Sequence, residues 1–337
     1  MKKRALLKTT ALTLTVGLAT GMASTAIGQE TYKMTFSTYL PPAYEYFWDP
    51  VQHFVEKVEA DSNGRIEIDV FHSAQLFDGF EELEAVSRGD VDITAMTGTY
   101  PSGTVRPLSI FTLPFVFDDV NHMQRALNGG LLDLGIREEF MDDHGVKILG
   151  VAPWDPYEFY TRDEPLESVE DFSGLTWATT GSTDARAMQV LGGSPTGMGS
   201  SELYLAFDRG VIDGTPRPLL TGIGRSLYEV IEHIALGTFS VDTSILSINA
   251  DTWNSLPEDL QQVITEAAES RDRMQFELVA DFIEESVGRY ESLGVSVKAL
   301  EPAVLDDLRV ATQPVIDEWL EEVGNGNEYL DLVEETR

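Results

Sequence analysis

Apolar and polar residues alternate over Tyr32–Ser37, the period of a half-buried strand. After a turn holding Pro41 and Pro42, Trp48, Val51, Phe54, Val55 and Val58 recur at the 3–4 spacing of an amphipathic helix, and Ser62-Asn-Gly64 supplies turn chemistry at its end. Ile66, Ile68 and Val70 alternate again. Glu81 to Arg88 reads as a helix closed by Gly89, and Val91 to Met96 as a further strand. This β-α-β-α-β order predicts an α/β domain with a mainly parallel sheet. Ligands of such sheets sit beyond the C-terminal ends of the strands. Weight therefore falls on the loops 38–46, 74–80 and 97–103.

Val146 to Val151 reads as a strand leading out of this unit, and a second α/β unit begins near Tyr157. Its predicted elements are a strand at Leu175 to Thr179, helices at Asp184 to Leu191 and Ser201 to Arg209, and a turn at Asp213-Gly214; a further strand reads at Ile245 to Asn249. A long helical pattern starts near Pro257 with Leu260, Val263, Ile264 and Ala267, and its period continues past Met274, Leu278, Phe282 and Val287 to Tyr290. A last helix carries Leu305, Leu308, Ala311, Val315, Trp319 and Val323. No internal repeat or low-complexity linker separates the two units. A two-lobed protein is expected, with the chain crossing between lobes more than once.

The N-terminus has its own pattern. Lys2, Lys3, Arg4 and Lys8 precede an apolar run from Ala11 to Met22 and the small residues Ala-Ser-Thr-Ala-Ile-Gly at 23–28, the layout of a secretory signal cut after Ala26 or Gly28. The run is shorter than the ~20 residues of a membrane span. Cleavage at Gly28 would leave 309 of the 337 residues, the length of two domains. The chain has no cysteine, which excludes disulfides, thiolate metal sites, a cysteine nucleophile and a lipid anchor at the cleavage point. Its formal net charge is −34, and loss of the four basic leader residues takes this to −38. The acids are scattered over helix faces. They read as a solvated surface suited to a salty medium, with an acidic platform for a basic partner as the alternative. Nucleic-acid binding is excluded by the sign.

Catalytic motifs are missing. No two of His53, His72, His122, His144 and His233 stand three to five residues apart, so no metal pair forms along a helix or turn. No G-x-S-x-G or Walker sequence occurs, and neither Gly197-Met-Gly199 nor Gly222-Ile-Gly224 completes G-x-G-x-x-G. With 57 acidic residues, chance proximity is the expected reading of any carboxylate pair.

Ordered fragments carry a resemblance. Phe54-Val-Glu-Lys-Val-Glu59 with Ser62-Asn-Gly-Arg-Ile66, Ser73-Ala-Gln-Leu76, Glu82-Leu-Glu-Ala-Val86 with Gly89-Asp-Val-Asp92, and Leu113-Pro-Phe-Val-Phe117 come first. Asp171-Phe-Ser-Gly-Leu175, Leu191-Gly-Gly193, Glu202-Leu-Tyr204, Gly210-Val-Ile-Asp-Gly214 and Trp253-Asn-Ser-Leu-Pro257 follow. In this order and spacing the chain resembles the DctP-type solute-binding proteins of TRAP (tripartite ATP-independent periplasmic) transporters over nearly all of the expected mature chain. The resemblance implies two α/β lobes, a hinged cleft that closes on a ligand, and a monomer that docks on a small and a large permease subunit driven by an ion gradient. It implies no catalysis, cofactor or metal. It divides the chain into a signal peptide at 1–28, lobe I at 29–153 plus about 244–283, and lobe II at 154–243 plus about 284–337, and it places the protein in the periplasm.

The chain departs from that family's carboxylate clamp. Where the resemblance puts an arginine after the strand motif, Gly174-Leu-Thr-Trp-Ala178 ends in Ala178. Where a second arginine follows an aromatic, Trp154-Asp-Pro-Tyr-Glu158 has Glu158, and the asparagine of the Asp-Gly segment is Arg217 in Asp213-Gly-Thr-Pro-Arg-Pro218. A buried carboxylate facing an anionic ligand costs several kcal/mol. The expected ligand is therefore a small amine such as ethanolamine, held by Glu158 and faced by Trp154, Tyr157, Tyr160 and Trp177 through cation–π contact. The alternatives are an organic carboxylate held by a relocated Arg217, which either pairs with Glu158 or meets the ligand, and a neutral polar ligand. Family position adds Tyr39 and Glu45 in the first loop, Asp78 and Phe80 in the second, and Thr97 and Tyr100 in the third. A binding protein reporting to a receptor, and a periplasmic lyase or hydrolase using two acids, are the competing functions.

Overall fold

The computed structural model describes residues 30–337; the expected signal peptide, 1–28, lies outside them. Two sheets organise the chain. The first holds β1 (Tyr32–Ser37), β2 (Ile66–Phe71), β3 (Ile93–Thr97), β4 (Val146–Pro153) and, from far along the chain, β10 (Thr243–Asn249), in the order β2-β1-β3-β10-β4. The second holds β5 (Tyr157–Thr161), β6 (Thr176–Thr179), β7 (Ser194–Gly197), β8 (Gly214–Pro218), β9 (His233–Ser240) and β11 (Ser296–Ala299), in the order β11-β9-β5-β8-β6-β7.

Residues 32–97 form the predicted β-α-β-α-β unit. Strand β1 pairs in parallel with β2 from Tyr32↔Ile66 to Ser37↔Phe71 and with β3 at Phe36↔Ile93. Its alternation buries Met34 and Phe36, while Ile66 and Ile68 do the same on β2. The sheet is mixed rather than mainly parallel, because β10 returns antiparallel between β3 and β4. Helix α1 (Glu45–Asp61) lays Val51, Phe54 and Val58 on the core, as the spacing predicts, together with Phe47, while Trp48 and Val55 are half-buried. Helices α2 (Glu82–Ser87), α3 (Val120–Asn128) and α4 (Ile136–His144) complete this lobe, with short 3-10 turns between them.

In the second sheet, α5 (Ser182–Val190) and α6 (Leu203–Asp208) each fall within two residues of expectation, while α7 (Leu219–Gly224) was not foreseen. After α8 (Ala250–Ser255), the long C-terminal pattern is one helix, α9 (Glu258–Ser292), 35 residues and about 52 Å at 1.5 Å per residue. Its buried face packs on α1 and β4 at one end, where the Gln275 amide donates to the Pro153 carbonyl at 3.1 Å. At the other end Tyr290 donates to the Leu219 carbonyl and meets the Tyr160 hydroxyl at 3.0 Å. Helix α10 (Pro302–Glu322) packs on α5, and α11 (Gly326–Glu335) on α3.

The chain crosses between the sheets after β4, again at Val241–Asp242 before β10, and a third time through α9. The two strand crossings each carry a fully buried carboxylate. Asp155 accepts from the Tyr46 hydroxyl of α1 and from the Leu219 N–H that starts α7. Asp242 accepts from the N–H groups of Thr99 (3.0 Å) and Thr243 (2.6 Å) and from the Tyr157 hydroxyl (3.1 Å). Burial pushes both carboxyls up to about 7, against the pull of those donors. Among the described residues no helix is long and apolar enough to cross a membrane.

Candidate ligand-binding site

The ends of β3, β6, β7 and β8 and the start of α1 converge on a cavity of about 20 Å³ between the two sheets. The first sheet contributes Tyr39 and Tyr44 from the loop after β1, and Thr97 and Tyr100 from the end of β3. The crossing strand contributes Trp154 and Tyr157. The second sheet contributes Thr180 after β6, Ser200 after β7, and Arg217 at the end of β8, with Thr221 on α7. All except Thr180 and Tyr100, which are partly exposed, are buried. Larger cavities lie elsewhere, and that of about 540 Å³ is a groove where α9 passes β4, lined by Gln124, Arg137 and Arg273. It gathers neither the strand ends nor the unpaired polar groups described next, so the cavity between the sheets is the candidate site.

Arg217 is the one cation lining it. Its guanidinium is 2% exposed and donates to two backbone carbonyls, of Pro216 (2.8 Å) and Met198 (3.0 Å). No side-chain carboxylate forms an ion pair with it among the described residues. Its charge is nonetheless felt around it. Asp184, raised by burial, is pulled back down by Arg217, and so is the phenol of Tyr100. Asp184 spends its own oxygens on the Thr180 and Ala185 N–H groups at 2.8 and 3.0 Å.

The tyrosines line the wall in order. Tyr39 and Thr97 share a hydroxyl hydrogen bond of 2.7 Å, and the Tyr39 ring meets that of Tyr100 edge-on at 4.9 Å. Tyr100 accepts from the Ser200 N–H at 3.1 Å across the cleft, which leaves its own proton to donate. Two buried donors of this wall have no partner among the described residues: the Tyr44 hydroxyl and the Trp154 indole Nε1–H. The wall therefore offers a cation and several hydrogen-bond donors.

Glu158 lies elsewhere. It stands directly opposite Arg217 in the β5/β8 ladder, yet the two form no ion pair. Its carboxylate turns to β9, where the pairing shifts between Tyr157↔Ser240 and Phe159↔Ala235. The bulge frees the N–H groups of Gly237 and Thr238, and both donate to Glu158 Oε2 at 2.6 and 3.1 Å. Burial pushes this carboxyl up to about 8. Trp177 is fully buried in the second lobe's core, stacked on Phe172 at 5.4 Å with its N–H on the Phe172 carbonyl at 3.2 Å. Tyr160 likewise bonds inward to Pro218 and Tyr290. Glu45 is exposed at the start of α1 and pairs with Arg289 at 3.2 Å. Asp78 closes a turn on the Phe80 N–H at 2.8 Å, and the Phe80 ring packs on Tyr100. The cavity thus gathers Tyr39, Thr97, Tyr100, Trp154 and Arg217 of the expected set, and not Glu158, Trp177, Glu45 or Asp78.

Tyr44, Thr180, Ser200 and Thr221 were not anticipated. Tyr44 sits in a loop already singled out. Thr180 and Ser200 follow the ends of β6 and β7, so the strand-end rule that selected the first lobe's loops would have found them if applied to the second. Among the described residues no cluster of metal-ligating side chains occurs.

Two mixed α/β sheets joined by three crossings, with a polar cavity between them, define a two-lobed ligand-binding protein. The sequence model of the family "Bacterial extracellular solute-binding protein, family 7" (DctP) matches residues 36–322, and the chain belongs to that family, the solute-binding subunits of TRAP transporters. It is 27% identical over 279 residues to the sialic acid-binding periplasmic protein SiaP of Vibrio cholerae, covering 82% of this chain and 85% of that one. It is 30% identical over 224 residues to the C4-dicarboxylate-binding periplasmic protein DctP of Rhodobacter capsulatus, covering 65% of this chain and 66% of that one. The solved structure of DctP7 from Bordetella pertussis, an extracytoplasmic solute receptor binding pyroglutamic acid, superposes with a TM-score of 0.85 at 20% identity, covering 90% of this chain and all of that one. Proteins of this family bind small-molecule ligands and work with membrane permease components.

Proposed function

We propose that this protein captures a small organic carboxylate in the cleft between its sheets, outside the cytoplasm, and hands it to the small and large membrane subunits of a TRAP transporter. Arg217 is the anchoring cation. The observation that carries this reading is the electrostatic state of that residue. A buried guanidinium without a carboxylate partner costs several kcal/mol, and a ligand carboxylate offsets that cost through a bidentate, charge-assisted pair. The names of the relatives agree in chemistry, since sialic acid, C4-dicarboxylate and pyroglutamic acid are all acids. The leader pattern supports export.

The amine reading rested on Glu158, and its support is weaker. That carboxylate is committed to the β9 bulge and does not line the cavity. An ammonium in the cavity would sit beside Arg217 instead, and like charges at that range repel.

Isothermal titration against succinate, pyroglutamate, a sugar acid, ethanolamine and choline tests the proposal. An acid binds, and Arg217→Gln weakens it at least about a hundredfold, the loss expected on deleting one partner of a buried charge pair. Tight binding of an amine that survives Arg217→Gln overturns it.

A further inference from the structure

The cavity that Arg217 lines also holds the two unpartnered donors, Tyr44 Oη and Trp154 Nε1, on rings whose centroids are 6.2 Å apart and nearly perpendicular. Both residues are 2% exposed. An indole N–H can only donate, and a buried donor left unpaired costs roughly 1–3 kcal/mol, which a ligand oxygen reaching this cavity would offset.

A second cation backs this pair. Arg225, just after α7, places its guanidinium over the Tyr44 ring at 5.5 Å. It donates to the Ser200 hydroxyl at 3.2 Å, and its Nε has no partner. Like Arg217 it forms no ion pair among the described residues, in a chain where acids outnumber lysine and arginine 57 to 23. The packing is close. A Cβ at Gly224 would fall 2.5 Å from the Tyr44 ring, so α7 and Arg225 can approach only because that position is glycine. Phe47 stacks on Trp154 at 5.5 Å and fixes the indole from the opposite side.

We infer that Tyr44 and Trp154 form a second subsite that receives an oxygen acceptor of the ligand, and that Arg225 holds the Tyr44 ring in place and adds positive potential behind it. This rests on the carboxylate reading of Arg217 and narrows it. The ligand is a small acid with a further oxygen function, a keto or hydroxyl group or a second carboxylate, rather than a plain aliphatic acid. One carboxylate meets Arg217, and the second oxygen meets the phenol and indole protons.

Titration of the full chain with butyrate, 2-oxobutyrate, 3-hydroxybutyrate and succinate tests the inference. At least one oxygenated acid binds ten or more times tighter than butyrate. Tyr44→Phe, which keeps the ring and its packing, removes about tenfold of that advantage. Trp154→Phe acts in the same direction, with melting curves confirming that both variants fold. Arg225→Gln lowers the advantage less, since it acts through Tyr44. Equal binding of all four acids by the unaltered protein, or an advantage that survives Tyr44→Phe, overturns the second subsite while Arg217 stands. Acid binding that survives Arg217→Gln overturns the underlying reading instead. Failure of all four acids to bind, with pyroglutamate and the sugar acid failing too, overturns both.

Discussion

Glu158→Gln separates the two ligand chemistries more sharply than any change inside the cavity. The carboxylate is 5% exposed and accepts the Gly237 and Thr238 N–H groups through one oxygen. A glutamine carbonyl can accept the same two bonds. Burial moves the carboxyl from its ordinary 4.5 to about 8. At about 1.36 kcal/mol per pH unit this displacement corresponds to about 5 kcal/mol. The sign follows from which state holds the proton. Between pH 4.5 and 8 the folded protein keeps it while the unfolded chain releases it, so stability is lost as pH rises through that window and levels off above it. The amide never ionises. Glu158→Gln therefore flattens the fall in stability between about pH 5 and pH 8 and leaves the variant more stable than the parent by a few kcal/mol at pH 8. The remaining slope belongs to carboxyls such as Asp155 and Asp242, each raised to about 7. Urea unfolding at half-unit pH steps measures the slope, and titration with the bound acid on the same samples measures affinity, which stays within threefold. A slope unchanged by the substitution refutes the bulge-capping account. A loss of ligand affinity greater than tenfold returns Glu158 to the site.

Trp177→Ala empties a fully buried indole position between Phe172 and Phe159 and is expected to cost about 3–5 kcal/mol in chemical unfolding; the folded fraction retains its ligand affinity within threefold, whereas selective loss of binding would make Trp177 a ligand contact. The net charge of −34 predicts a melting temperature that rises between ~0.1 M and ~1 M sodium chloride as the Debye length falls from ~10 to ~3 Å. A flat or falling curve refutes surface self-repulsion as a stability term.

The fold was legible where period and element agree. Strand β1, helix α1 and the continuous helix α9 follow from alternation and 3–4 spacing. The second sheet was less legible for identifiable reasons. Strand β8, Gly214–Pro218, carries Pro216 and Pro218 and reads as a turn. It survives between β5 and β6 because its ladder with β6 has a single paired position, Trp177↔Gly214. Strands β7 and β11 have four residues each, too few to show a period. At the site, the sequence identified the anomalous charges at 158, 178 and 217 but not their directions. Glu158 and Arg217 occupy opposed positions on neighbouring strands, and only the β9 bulge, invisible without the strand pairing, draws the carboxylate away.

That geometry makes the anomalies at 178 and 217 a single change. Strands β8, β6 and β7 lie in that order, and Arg217 on β8 donates to the carbonyl of Met198 just beyond β7. Its side chain therefore passes over the end of β6. By strand alternation Ala178 shares the face of Thr180, which lines the cavity. Ala178 is fully buried in the apolar cluster that holds Leu203 and Phe207, and the cation lining the cavity stands on the adjacent strand at Arg217. Arg217 then needs its own neighbour across the ladder to be silent, and Glu158 is silent because two backbone donors of the β9 bulge hold it. A clamp moved by one strand, with its opposing carboxylate turned aside, is the arrangement that the proposed capture of an organic acid requires.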